Sequence, residues 1–209
     1  MKKMNKGLII STALFAIPLA IGAYFYSSLP QQMAIHFDAS NTPDNFAPKV
    51  LAVFGLPLLL LVVHLFSWFR VENDPKRANG SVAMKVLSKW AVPIISIIGQ
   101  IVVISYSMDA AFDFGFYATL IVGVLIIFSG NYLPKSRQNY TIGIRLPWTL
   151  SDENNWNKTH QFAGIVWVVC GFILIGSALL SIPYIIFGLI VVMILAPIFY
   201  SYAYYKKHV

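Results

Sequence analysis

"QFAGIVWVVCGFILIGSALLSIPYIIFGLIVVMILAPIFYSYAYY", residues 161–205, contains no Asp, Glu, Lys or Arg. A helix needs about 20 apolar residues to cross a hydrocarbon core of about 30 Å, so this run is long enough for two crossings. Pro183 near its centre marks the hairpin between them. Four more uncharged runs lie at residues 7–35, 50–69, 90–108 and 114–133. The chain is therefore expected to be an all-α integral membrane protein with six transmembrane helices. Their expected limits are 7–27, 49–69, 90–108, 114–133, 162–181 and 184–205.

Composition agrees. The 209 residues are 58% hydrophobic and only 11% charged, where soluble domains carry about a quarter charged residues. Lys2, Lys3 and Lys6 precede the first run as they would a secretory signal, but "IGAYFYSSLP" offers bulky aromatics where small cleavage-site residues would stand. The first run reads as a retained helix. Cys170 is the single cysteine, mid-helix, and reads as a small packing residue.

Charge sets the expected orientation. With the amino terminus inside, the inner segments hold Lys2, Lys3, Lys6, Arg70, Lys76, Arg77, Lys85, Lys89, Lys135, Arg137, Arg145, Lys158, Lys206 and Lys207, leaving only Lys49 outside. Cations favour the cytoplasmic side in short loops, so both termini are expected there. The net charge of +7 is then a topology signal. No loop carries a dense basic patch with interleaved aromatics, so direct nucleic-acid binding is not expected.

Three regions follow: 1–69, a two-helix module with an extracellular loop at 28–48; 70–113, a cytoplasmic loop, the third helix and a short outside turn; and 114–209, helices four to six with a cytoplasmic motif loop at 134–161. No acid or cation stands at mid-membrane depth, which argues against a charge-coupled pump. His64 and Gln100 are the main polar residues inside spans. Gln100 is expected to hydrogen-bond across helices.

The outer loop, "AIHFDASNTPDNF", reads as turn-rich. His36 and Asp38 alternate around Phe37 and would share a face of an extended chain, but one His and no nearby Cys make a poor metal site. A role for His36, Asp38, Pro43, Asp44 and Lys49 in binding an extracellular peptide is the alternative, the acidic loop suiting a cationic or amphipathic partner.

The inner segment, "NYTIGIRLPWTLSDENNWNKTH" (139–160), holds the densest polar chemistry. The alternation in "TIGIRLPW" predicts a short extended piece ended by Pro147. A helix is expected next, capped by Thr149 or Ser151, with Trp156 and His160 four apart on one face. It would lie along the inner membrane surface or bend into the fifth span near Gly164. The plain reading of Trp148 and Trp156 is interfacial anchoring. Arg145 would contact lipid phosphate or brace the loop through carbonyls. His160 has no nucleophile at recognisable spacing, so no enzyme, metal or cofactor is expected.

"GNYLPKSRQNYTIGIRLPWTLSDENNWNKTHQFAG" resembles the signature of the SdpI family, bacterial membrane proteins named for immunity to the Sdp killing peptide. The matching residues are Gly130-Asn131, Asn139, Gly143, Arg145, Pro147-Trp148-Thr149-Leu150, Trp156 and Thr159-His160. Leu29-Pro30, His36, Pro43-Asp44 and Lys49 resemble the amino-terminal module often found in that family, with Asn41 where a Gly is common. The resemblance implies a non-enzymatic immunity protein of the bacterial cell membrane, with a secreted toxin peptide and membrane lipids as partners. It also implies possession, in the best-known member, of a signalling step in which a cytoplasmic transcriptional repressor is captured at the membrane. Two other classes stay open: a small transporter or lipid- or envelope-precursor enzyme using Arg145 and His160 at the headgroup level, and a purely structural loop locking helices four and five.

Overall fold

The computed structural model describes residues 5–38, 42–109, 113–182 and 184–208. Lys2, Lys3, Asn41, the tip of the short turn at 110–112 and the Pro183 hairpin lie outside the described residues. The protein is mostly helical, and among the described residues six helices are long and apolar enough to cross a membrane: Lys6–Ser28, Leu51–Glu72, Val82–Met108, Gly115–Lys135, Glu153–Leu179 and Ile185–His208.

The first span is two helices, α1 (Lys6–Ala13) and α2 (Ala16–Phe25), followed by a 3-10 turn over Tyr26–Ser28. Pro18 has no N–H to give Leu14, and its ring crowds that carbonyl. Leu14 O is met instead by the N–H of Ile17 at 3.1 Å, and the helix breaks there.

The outer loop differs from expectation. Instead of irregular turns it forms an antiparallel hairpin, β1 (Gln32–Phe37) and β2 (Pro43–Pro48), with Gln32 opposite Pro48 and Phe37 opposite Pro43. Prolines are tolerated at the ends of an edge strand because no ladder donor is lost there. The register shifts around Ile35, and buried Met33 packs with Leu29, Ala52, Val53 and Ile104.

The second span opens with a wide π-turn at Leu51–Gly55 and continues as α3 (Leu56–Glu72). Next, α4 (Val82–Met108) begins two turns earlier than its apolar run, because the Ser81 hydroxyl accepts from the Met84 N–H at 3.1 Å and caps it. Four more helices complete the chain: α5 (Phe114–Tyr132), the short α6 (Pro147–Ser151), α7 (Glu153–Leu179) and α8 (Ile185–His208).

The chain divides into two compact units. The first comprises 1–69 and 87–117, the second 70–86 and 118–209. In the second, α5 and α7 approach through glycines. A Cβ on Gly130 would lie 2.8 Å from Gly164 O, and one on Gly171 2.9 Å from Gly123 O. Small residues let spanning helices meet backbone to backbone. Cys170 and Leu174 of α7 pack with Leu189 and Met193 of α8.

Candidate functional site

The motif loop of the second unit is organised by Asn139, which is 2% exposed. Its Oδ1 accepts from the N–H groups of Thr141 (3.0 Å) and Ile142 (2.7 Å), and its Nδ2 donates to the carbonyls of Arg137 (2.9 Å) and Ile142 (3.0 Å). The amide thus takes the backbone groups that a strand ladder would have used. Residues 140–143 are accordingly bends and no strand forms over "TIGIRLPW", which corrects the alternating extended reading, although Leu146 before Pro147 is extended as expected.

Gly143 has φ +126°, and a Cβ there would run into His160 Nε2 and the Trp156 ring. Only glycine combines that backbone with that approach. His160 is fully buried and stacks on Trp156 with ring centroids 4.0 Å apart. Its Nδ1 lies 2.7 Å from Trp156 O, and its Nε2 lies 2.9 Å from the Ile144 N–H. A carbonyl only accepts and an N–H only donates, so the ring is the neutral Nδ1–H tautomer. Both nitrogens are occupied, which leaves none for proton transfer.

Trp156 is also fully buried, and its indole N–H donates to Ser136 O at 2.8 Å. It is not an interfacial anchor. The expected cap residue is corrected too. Asp152 caps α7 by accepting from the Asn154 N–H at 2.8 Å, while Thr149 Oγ1 accepts from Leu146 N at 2.9 Å and approaches Ile144 O at 2.8 Å. The short α6 precedes the fifth span as a separate turn, while the stretch carrying Trp156 and His160 belongs to α7, which runs without a break from Glu153 past Gly164, where a bend was the alternative.

Four residues not singled out from the sequence complete the arrangement. Asp74 accepts from Lys76 N (2.7 Å) and Tyr140 N (2.9 Å), and Gln138 donates to the carbonyls of Thr149 and Leu150. Ser201 of α8 accepts from the Trp148 indole at 2.8 Å and donates to Asn155 Oδ1 at 2.7 Å, which also accepts from Thr159. The turn chemistry of "ENDPKRANG" hinted at Asp74, and the four-residue spacing of Asn155 and Thr159 hinted at a second polar face. Nothing in the local sequence points to Ser201.

Thus Asn139, Gly143, Trp148, Thr149, Trp156 and His160 come together, and Pro147 starts the short helix that carries two of them. Asn131 does not join them and is exposed. Arg145 is exposed and donates to Tyr140 O at 2.8 Å, bracing the loop. A shallow cleft lined by Asp74, Arg77, Lys85 and Asn139 has a volume of ≈ 10 Å³, far below the range of about 300–1,000 Å³ usual for ligand pockets.

In the hairpin of the first unit, His36 Nδ1 pairs with Asp44 Oδ1 at 2.6 Å across the strands. Asp38 instead closes the turn by accepting from Thr42 N at 2.9 Å. Asp44 is the extra residue at the register shift beside His36, so the partner of His36 is Asp44 rather than Asp38. Lys49 donates to Tyr26 O at 3.3 Å and sits 4.5 Å from that ring's centroid, and Pro43 pairs with Phe37 beside the turn. Among the described residues no three His, Cys, Asp or Glu gather as a metal site would require.

The chain matches the SdpI/YfhL protein family over residues 135–201 and a domain of unknown function (DUF1648) over residues 13–61. It is similar to the immunity protein SdpI of Bacillus subtilis (strain 168), with 31% identity over 203 residues, covering 95% of this chain and 96% of that protein. It is also similar to the uncharacterized membrane protein YbgB of the same strain, with 43% identity over 49 residues, 23% of this chain and 50% of that protein. No solved structure matches it.

Proposed function

Because the chain belongs to the SdpI/YfhL protein family and is a multi-pass protein of the cell membrane, we propose that it is an immunity protein protecting its cell from a secreted, membrane-active toxin peptide. Similarity to an immunity protein along 95% of the chain carries this reading, because it takes in both units.

The division of labour follows from the alternation of sides along six crossings and from the charge bias. Both termini and the motif loop face the cytoplasm, and the β1–β2 hairpin faces outward. The hairpin, with its exposed His36–Asp44 pair, is first contact for the toxin. The buried motif residues hold the inner ends of the spans in one arrangement. Exposed Arg145, Arg137 and Lys158 form the face that meets lipid headgroups or a cytoplasmic repressor.

The transporter or enzyme reading is less well supported, because Arg145 is exposed while His160 is sealed with both nitrogens engaged. The experiment is survival of cells exposed to the Sdp killing peptide, with and without this protein. Survival should rise with wild-type protein. Equal killing, with the protein present in the membrane, overturns the immunity reading. A changed lipid or wall-precursor profile in cells lacking the protein would favour the enzyme instead.

A further inference from the structure

Five buried side-chain atoms have no hydrogen-bond partner among the described residues: Thr12 Oγ1, His64 Nδ1, Ser96 Oγ, and Gln100 Nε2 and Oε1. All belong to the first unit. His64, Ser96 and Gln100 are 0%, 2% and 1% exposed. An unpaired polar group is costly in any apolar interior and most costly in hydrocarbon, where no water can serve it. The cross-helix bond expected of Gln100 is not made among the described residues.

These groups form a row. Gly7 lies against Trp68, Ser11 Oγ is 3.1 Å from His64 Nε2, and a Cβ on Gly22 would sit 2.5 Å from Val53 Cγ1, so the first span runs antiparallel to α3. Ser67 Oγ donates to Ser88 O at 2.9 Å at one end, and Val53 packs with Ile104 at the other, so α4 also runs antiparallel to α3. Gln100 Nε2 is 3.0 Å from the same Gly22 position. Ser96 lies one turn nearer the His64 level on the same face of α4. From Val53 to His64 the helix rises on the order of 15 Å, with unpaired groups at its two ends and Ser96 between.

The backbone is irregular along this row. The break between α1 and α2 places Phe15 against His64, with ring centroids 5.6 Å apart, and the π-turn carries Val53 to the Gly22–Gln100 contact. Non-α backbone within a span is tolerated where it lines a cavity or is covered by protein, and π-turns concentrate at functional sites. A single cation would need its ligands around one point, and these are strung along the helices without a carboxylate. Gln100 and Ser96 are one turn apart and the row covers about three turns in all, and whole turns are the period at which an inserted helix presents one face.

We propose that this seam between the first span, α3 and α4 is the intramembrane site of the toxin, entered when the first span moves aside, where Gln100, Ser96 and His64 hydrogen-bond uncharged polar side chains on one face of the inserted peptide. The proposal rests on the immunity reading and locates the partner within it.

The test uses the full chain in phosphatidylcholine vesicles and two synthetic probes. One is an all-leucine helix; the other carries one Gln and two Ser a turn apart. Energy transfer reads their association. The polar-faced probe should bind about tenfold more tightly, and Gln100→Leu and Ser96→Ala should each reduce that preference. Equal binding of both probes, or a preference that survives both substitutions, overturns the proposal while leaving the immunity reading intact.

Survival under the Sdp killing peptide separates the two ideas. Gln100→Leu should lower survival at unchanged protein level. Full survival of cells carrying Gln100→Leu means that the seam does not hold the toxin. If the wild type gives no protection, the immunity reading falls, and a probe preference removed by Gln100→Leu still upholds the seam as a site for an inserted polar helix.

Discussion

The two units treat buried polar groups in opposite ways. In the second, Asn139, Thr149, Asn155, Thr159, His160 and Ser201 are all buried and all hydrogen-bonded, many of them twice or more. In the first, Gln100, Ser96 and one nitrogen of His64 are equally buried and unpaired. A fully paired network stiffens one arrangement, whereas an unpaired group is a standing penalty that a second arrangement or a guest can relieve. The second unit is therefore built to stay as it is, and the first is built to respond.

The sharpest way to break this contrast is at Trp156. Trp156→Ala removes a fully buried indole, its bond to Ser136 O and the platform under His160. The expected loss is about 3–5 kcal/mol, comparable to other buried Trp truncations. Thermal melting of the purified protein should show it as a large fall in midpoint. A fall of only a degree or two would mean that the network is loose and the contrast false. Gly143→Ala comes next. The positive φ alone costs about 1–3 kcal/mol for a residue with a Cβ, and the new methyl must displace His160 or Trp156. The melting midpoint should fall by less than for Trp156→Ala, and Gly143→Ala combined with His160→Ala should cost less than the sum of the two alone, because the truncated ring makes room for the methyl.

How much of this was legible beforehand divides along the same line. The spans were, because an uncharged run of bilayer length has few other uses, and the structure follows all of the runs to within about three turns. The motif loop was legible as a cluster but not as a shape. Alternation at Ile142, Ile144 and Leu146 imitates a strand, yet the side chain of Asn139 captures the very amides a strand would spend, and no local pattern reports that competition. Trp156 and Trp148 sat where interfacial anchors sit, and their indole N–H groups are held by Ser136 and Ser201, partners 20 and 53 residues away. The hairpin was hidden by its prolines, which discourage a strand reading except at an edge. Gln100 failed differently. A lone amide in a span is expected to find a neighbour, and only the packed structure reveals that it does not.

A smaller effect of opposite sign is expected in the first unit. His64→Phe keeps a ring of similar size against Phe15 and Trp68 while deleting the unpaired Nδ1. Ser11 keeps its bond to Leu8 O at 3.1 Å, so the substitution orphans nothing. Stability should hold or rise by about 1 kcal/mol, because removing an unsatisfied buried group is neutral or favourable. A melting midpoint lowered by several degrees would show that His64 is as well integrated as His160, and the contrast between the units would dissolve.

The smallest expected effect is at Arg145, and it tests what the stiff unit is for. The guanidinium is exposed and its bond to Tyr140 O is shared with Arg70 Nη2 at 3.4 Å, so the carbonyl keeps a partner when Arg145 is lost. Arg145→Ala should change stability by no more than about 0.5 kcal/mol, as surface substitutions usually do. If the motif exists only to hold its helices together, protection against the toxin peptide should be equally indifferent. If the stiff unit presents a cationic face to a headgroup or protein, protection or its reporting should fall while melting stays put. That pairing of an unmoved midpoint with altered survival separates a scaffold from a surface, because the surrounding network holds the backbone at 145 whether or not the charge is there.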